Sequence, residues 1–429
     1  MVYIRLSLSY ECKYLTSREH TSYLQVHRKI MKTTLMTMRM MKQSARPAAH
    51  CFLFPKAPLR MMSLAIAKTT VKRIGTKPTT SPRRISRKTP ILVIQSASNL
   101  PLLLLSRYDS NYIHVCHDRT LSICPNCIID VAAPSWTLPL LERMPEVSEA
   151  IALPFKHGEL VFFERIRFGK SLKNKGYTQA IILTNSFKSA LLPWAAGIKK
   201  RTGFLGEMRY GLINDVRPLD KTKLKKTVER FVFLGLDKNQ SFPKIIPNPQ
   251  LSAKPEAAWI LASGLGVKSS KNKILGLCPG AEYGEAKRWP AEYYAEVAIE
   301  ALNKDWQVWL FGSDKDMVVS NHINQLTKNQ CTDFAGKTKL GEAIDLMSLC
   351  DTIVSNDSGL MHVAAALDKK LIAIFGSSDP YHTPPMQPNA VIEYLALECS
   401  PCFKRECPLG HLNCLNQIAP VNIQQHLNF

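Results

Sequence analysis

The chain has 429 residues, 45% of them hydrophobic, which is room for two or three domains with sizeable cores. Its longest apolar runs, such as Leu102–Leu105 and Leu64–Ala67, fall far short of the roughly 18–20 residues of a membrane-spanning helix. Its net charge of +22 is uneven: residues 1–90 hold 19 Lys and Arg against Glu11 and Glu19, a local +17, leaving +5 for the other 339, so a nucleic-acid-binding reading rests on the leader alone.

Residues 1–89 read as a basic extension rather than a domain. Met, Thr, Arg and Ser are frequent, Asp is absent, and no hydrophobic periodicity holds. The composition matches an organelle transit peptide, a disordered tail or a non-native extension, and lacks the apolar centre of a secretory signal. From Pro90 the texture changes. Ile91–Ile94, Cys127–Val131 and Ala180–Thr184 are apolar runs that predict buried strands, and Thr137–Arg143, Phe163–Lys173 and Ser189–Ala196 predict helices. Such alternation predicts a parallel sheet covered on both faces. The stretch Ser241–Pro255, with Pro243, Pro247, Pro249 and Pro255, reads as a linker.

A second alternating series follows. Strands are predicted at Ile274–Leu277, Gln307–Phe311, Thr352–Ser355 and Leu371–Phe375, and helices near Ala291–Asn303, Gly341–Leu349 and Leu360–Leu367. The fold class is therefore α/β, with two Rossmann-like domains, 90–250 and 251–429, facing a cleft. Ligands of such sheets bind beyond the C-terminal ends of the strands.

Three strand-to-helix segments carry candidate chemistry. In Ser355-Asn356-Asp357-Ser358-Gly359-Leu360-Met361-His362 a strand ends in a polar turn and an Ala-rich helix begins. Backbone N–H groups at that helix start suit a diphosphate, with Ser358 as a hydroxyl donor and His362 beside them. Equally, Asp357 or Ser358 could cap the helix. The segment Cys278–Pro290 has Gly280 for close backbone approach and Lys287 and Arg288 as cations for a leaving diphosphate. It also reads as a solvated basic loop. In Phe311-Gly312-Ser313-Asp314-Lys315-Asp316, carboxylates could accept from a ribose diol, or the segment is an ordinary turn.

Together these segments resemble the C-terminal half of family 9 glycosyltransferases, in phrasing nearest the ADP-heptose–lipopolysaccharide heptosyltransferase II type. Ala132-Ala133-Pro134-Ser135-Trp136, Arg143–Val147, Asn185–Ala190, Arg201-Thr202-Gly203 and Gly206–Gly211 extend the resemblance from about Pro125 to near the C-terminus. It implies a GT-B architecture and inverting transfer of heptose from ADP-L-glycero-D-manno-heptose to the inner-core heptose of a lipid A–Kdo–heptose acceptor, with no cofactor required. It implies donor contacts at Lys287, Asp357, Ser358, Gly359, Leu360, His362, Gly280 and Asp314, and acceptor contacts at Lys188, Arg201 and Arg209. It further implies a cytoplasmic protein peripheral to the inner face of the inner membrane, with no nucleic-acid partner.

The family's Gly-Asp pair after the first strand, source of its catalytic base, is missing. No glycine occurs from Gln95 to Cys124, and neither Asp109 nor Asp118 has the motif around it, so the base is unassigned. That departure keeps a second reading in view, a nucleotide-sugar-binding homologue impaired in catalysis. Of the twelve cysteines, eight are scattered, as in a reducing compartment. Cys399, Cys402, Cys407 and Cys414 cluster around His411 with a spacing that suits a small structural zinc loop or packed thiols.

Overall fold

A computed structural model describes residues 89–95, 127–156, 158–269 and 271–427. The basic leader and the segment 96–126, with Asp109 and Asp118, lie outside the described residues. Six strands come first: β1 (Thr89–Ile94), β2 (Cys127–Pro134), β3 (Glu149–Leu153), β4 (Gln179–Ile182), β5 (Lys200–Phe204) and β6 (Asp215–Arg217). They form one parallel sheet in the order β3-β2-β1-β4-β5-β6. Leu92, Val93 and Ile94 are all buried, as a central parallel strand covered on both faces requires. Successive side chains point to opposite faces. Leu92 and Ile94 join a core with Ala190 and Leu192, while Val93 joins another with Leu141, Phe231 and Leu234.

The covering helices are α1 (Leu138–Leu141), α2 (Phe162–Ser171), α3 (Phe187–Ala195) and α4 (Thr227–Gly235). The α2–α3 contact is close because Gly169 lies against the Leu192 carbonyl. A Cβ there would come within 2.5 Å of that oxygen.

The second sheet is built from β7 (Ile274–Cys278), β8 (Gln307–Leu310), β9 (Thr332–Asp333), β10 (Thr352–Asn356), β11 (Lys370–Ile374) and β12 (Val391–Glu393). Its order, β12-β11-β10-β7-β8-β9, read from the other edge repeats the first sheet strand for strand. Its helices are α5 (Pro255–Gly264), α6 (Ala291–Asn303), α7 (Met317–Leu326), α8 (Leu340–Met347), α9 (Gly359–Ala366), α10 (Asn413–Asn416) and α11 (Pro420–Gln424). The tail carrying α10 and α11 packs back on α6 through Leu415, Ile418, Ile423 and Leu427. No described helix is long and apolar enough to cross a membrane.

The predicted central strands are present. The strands that the apolar pattern missed are β5 and the four sheet edges β3, β6, β9 and β12. An edge is covered on fewer sides and needs no continuous apolar run. The helices α4, α5, α7, α10 and α11 were also missed, and Pro255, read as the end of a linker, instead opens α5.

Residues 236–254 carry no helix or strand, yet they are anchored. Leu251 packs against a core of each sheet. Beside it, Arg143 Nε donates to Asp345 Oδ1 at 3.0 Å and Nη2 to Oδ2 at 2.5 Å, and Lys254 N donates to Oδ1 at 3.0 Å. On the loop after β11, His382 meets Thr227 at 3.2 Å through Nε2, with Nδ1 2.9 Å from the Lys225 carbonyl.

Candidate functional site

Both sheets reverse direction of growth at one point, between β1 and β4 and between β7 and β10. Connections leave such a point toward opposite faces and open a crevice beyond the strand ends. In the second sheet β7 runs into the 279–290 loop and β10 into Asp357-Ser358, so two of the three motif segments meet there. The third follows β8, and β11 adds Ser377 and Ser378.

Asn356, fully buried at the end of β10, ties these loops together. Its Oδ1 accepts from Trp289 N at 3.2 Å and from Tyr294 Oη at 3.1 Å, and its Nδ2 donates to the Pro279 carbonyl at 2.7 Å. The loop so held places Lys287 against Asp357. Lys287 Nζ and Ser378 Oγ both donate to Asp357 Oδ2. The lysine side chain is 17% exposed and the carboxylate 6%, so the pair is reachable from solvent on the lysine side.

The start of α9 is open. Ser358 is the N-cap residue with extended backbone, and no side chain makes a capping hydrogen bond. Ser358 Oγ lies 3.5 Å from Ser355 Oγ instead, and Asp357 is taken by Lys287 and Ser378. Simple capping therefore does not account for these residues, and the leading N–H groups at Gly359 and Leu360 suit an anion. His362, one turn in, is buried with no partner at Nδ1. Burial pushes its pKa down to about 4, against the pull of Asp357 and with the push of Lys287. It is neutral at pH 7 and contributes polarity rather than charge.

The structure redefines Gly280. The space a side chain would fill there holds the Asp316 carboxylate, within 2.3–2.6 Å of an added Cβ. The close approach seen here is that of Asp316. Asp316 in turn accepts from Ser313 N at 2.9 Å and Ser313 Oγ at 2.8 Å, which makes it a turn-forming residue. Asp314, two residues earlier, is exposed on the same loop.

The acceptor candidates separate. Arg209 is fully buried, with Nη1 donating to the Thr184 carbonyl at 2.6 Å and to Ser189 Oγ at 3.2 Å, and Nη2 donating to the Phe204 carbonyl. Burial pushes its pKa down to about 10, so it stays charged at neutral pH. Arg201 donates to the Leu212 and Ile198 carbonyls at 2.6 Å each and to Gly211 at 3.3 Å. Both guanidinium groups brace the loops around β4 and β5; Arg209 is enclosed there, whereas Arg201 is half-buried and keeps an exposed Nη2. Lys188 is half-buried in the first turn of α3, the helix that follows β4.

The Cys-rich segment lies against the Lys287 loop. Ala286 N donates to the Arg405 carbonyl at 3.0 Å, and Tyr283 Oη donates to the Phe403 carbonyl at 2.8 Å. The zinc reading of this segment, offered beside packed thiols, gains no support from the fold. Among the described residues no three His, Cys, Asp or Glu are placed to hold a metal. Cys399 is exposed while Cys414 turns into the core under α6, and none of the four is in a disulfide. Backbone N–H groups, Leu412 foremost, hold the Cys407 thiol below its usual range, whereas burial and then the neighbouring thiols push Cys414 up.

Sequence reasoning missed Asn356 as a staple and Ser378, Tyr283 and Arg405 as neighbours of Lys287. Ser378 had a readable signal, since Gly376-Ser377-Ser378 follows a predicted strand end. Arg405 had none, because its place depends on a tail folding back over the sheet.

Known proteins share this fold. The family model described as glycosyltransferase family 9 (heptosyltransferase) matches residues 165–413. Lipopolysaccharide heptosyltransferase 2 of Salmonella typhimurium is 45% identical over 313 residues, 71% of this chain and 90% of that protein; its Escherichia coli counterpart is 44% identical over the same shares. The solved structure of E. coli ADP-heptose lps heptosyltransferase II superposes with a TM-score of 0.67 at 38% identity, covering 79% of this chain and 97% of that one. The two-sheet architecture is thus of the GT-B type, and nothing in these relatives supports the non-catalytic reading. The chain belongs to glycosyltransferase family 9, the heptosyltransferases.

Proposed function

We propose that the chain transfers heptose from ADP-L-glycero-D-manno-heptose to the inner-core heptose of a lipid A–Kdo–heptose acceptor. The observation that supports it best is the Lys287–Asp357–Ser378 cluster beside the uncapped start of α9. In this reading the diphosphate lies over Ser358, Gly359 and Leu360, and Lys287 meets the leaving phosphate. Asp357 holds heptose hydroxyls, Asp314 accepts from the ribose, and His362 lines the pocket as a neutral group. The acceptor oxygen attacks the anomeric carbon opposite the diphosphate. A C–O bond to the acceptor forms, the C–O bond to phosphate breaks, and ADP leaves with the electron pair. The acceptor proton passes to a base, which is unassigned. Stabilising charge on the leaving group is the main work of the described residues.

The acceptor side is the first sheet, with Lys188 as its cation. A lipid-anchored acceptor requires contact with a membrane surface, and α2 offers one. Phe163, Arg167 and Lys170 share one exposed helical face, with Leu160 just before it. In this reading the protein works at the cytoplasmic face of the inner membrane. Sedimentation with anionic vesicles should fall for Phe163→Asp, and equal sedimentation removes this surface from the reading.

The decisive experiment is ADP release from ADP-heptose with heptosyl-Kdo-lipid A. Acceptor-dependent release is expected. Absence of release by a folded chain, also after a Gly-Asp loop is placed behind Ile94, overturns the substrate assignment.

A further inference from the structure

We propose that Arg405, carried in by the Cys-rich segment, is a donor-binding residue whose guanidinium joins Lys287 in neutralising a nucleoside diphosphate. The inference rests on the donor site proposed above.

Two cations gather on one aromatic ring. Lys287 Nζ lies 5.0 Å from the centre of the Tyr283 ring and Arg405 Cζ lies 5.3 Å from it. An aromatic face attracts each cation but does not cancel their mutual repulsion. Lys287 is already matched by Asp357, and His362 is neutral, so these three side chains sum to no net charge. A diphosphate is multiply negative and calls for a cation beyond that balanced set. Arg405 stands where such an excess charge is wanted.

Its position is fixed by the backbone rather than by its side chain. The Arg405 carbonyl accepts from Ala286 N, one residue before Lys287. Gly284 (φ +153°) lies against the same residue, where a Cβ would come within 2.4 Å of the Arg405 oxygen. Tyr283 Oη is held by the Phe403 carbonyl. The tail is thereby locked to the Lys287 loop while the guanidinium itself stays exposed. This arrangement gives the Cys-rich segment a role as a wall of the donor site. It also makes Arg405 replaceable without loss of the contacts that hold the wall.

The test is binding of ADP and of AMP to the full chain, to Arg405→Gln and to Arg405→Lys, by calorimetry, together with donor KM and kcat. Arg405→Gln should weaken ADP about tenfold, with a much smaller effect on AMP, and should raise donor KM more than it lowers kcat. Arg405→Lys should recover most of the ADP affinity. Equal weakening of ADP and AMP, or unchanged ADP binding, overturns the proposal. An unsubstituted chain that binds neither nucleotide overturns the donor-site reading itself and the inference with it.

Discussion

The two sheets share one strand order, yet Lys287 of the second and Arg201 and Arg209 of the first use their charge in opposite ways. At the crevice of the second sheet the partner of Lys287 is a carboxylate, close to an uncapped helix start. Around the first sheet the donors of Arg201 and Arg209 go chiefly to backbone carbonyls. A guanidinium surrounded by carbonyls holds loops in place, and removing it strands buried acceptors. A lysine paired with a carboxylate at a strand end can exchange partners when an anion arrives. At Lys287, Arg201 and Arg209, partner type separates a binding group from a brace; at Arg143, whose partner is the Asp345 carboxylate, it does not.

The largest effect that would test this contrast is on stability. Arg209→Ala should cost about 3–5 kcal/mol in urea denaturation, because the Thr184 and Phe204 carbonyls lose their donor inside the fold. A stable variant with a raised acceptor KM would make Arg209 a binding residue after all. Lys287→Ala should keep its fold and lose roughly 10²–10³-fold in kcat, as for a lost transition-state donor. An unchanged rate would dissolve the contrast from the other side.

A third effect is pH-dependent. Folded His362 stays neutral down to about pH 4, whereas an imidazole in the unfolded chain takes up its proton near 6.5. Below that pH the unfolded state binds the extra proton, so stability falls as pH drops, by about 3 kcal/mol at and below pH 4. Thermal unfolding between pH 7 and 4.5 should show this loss, and His362→Gln should flatten it. The smallest effect belongs to Lys188. Lys188→Ala should raise acceptor KM several-fold, about 1 kcal/mol, and leave ADP affinity unchanged. A change in ADP affinity would assign Lys188 to the donor.

The central strands and the ordering of motifs at strand ends were legible because both depend on local pattern. Ile91–Ile94 and Ile274–Leu277 are apolar runs that only a covered sheet accommodates. The edge strands were not legible. Glu149 and Asp215 start β3 and β6, and β9 has two residues. Lys287 and Asp357 were found as residues but not as a pair, since they come together only when β7 and β10 lie side by side. The Asp316 carboxylate beside Gly280 was not legible, because it reaches the glycine from the end of another strand. Arg209 sits between Met208 and Tyr210, both exposed, and no local feature marks it as the one that turns inward.

The Arg143–Asp345 pair has a consequence for inheritance. Its partners are 202 positions apart and lie on either side of the 236–254 connection. A crossover between two diverged genes within that connection would take the arginine from one parent and the aspartate from the other. Offspring that mismatch the two would bury a charge without its counter-ion, so the halves of this chain are expected to travel through recombination as a matched set.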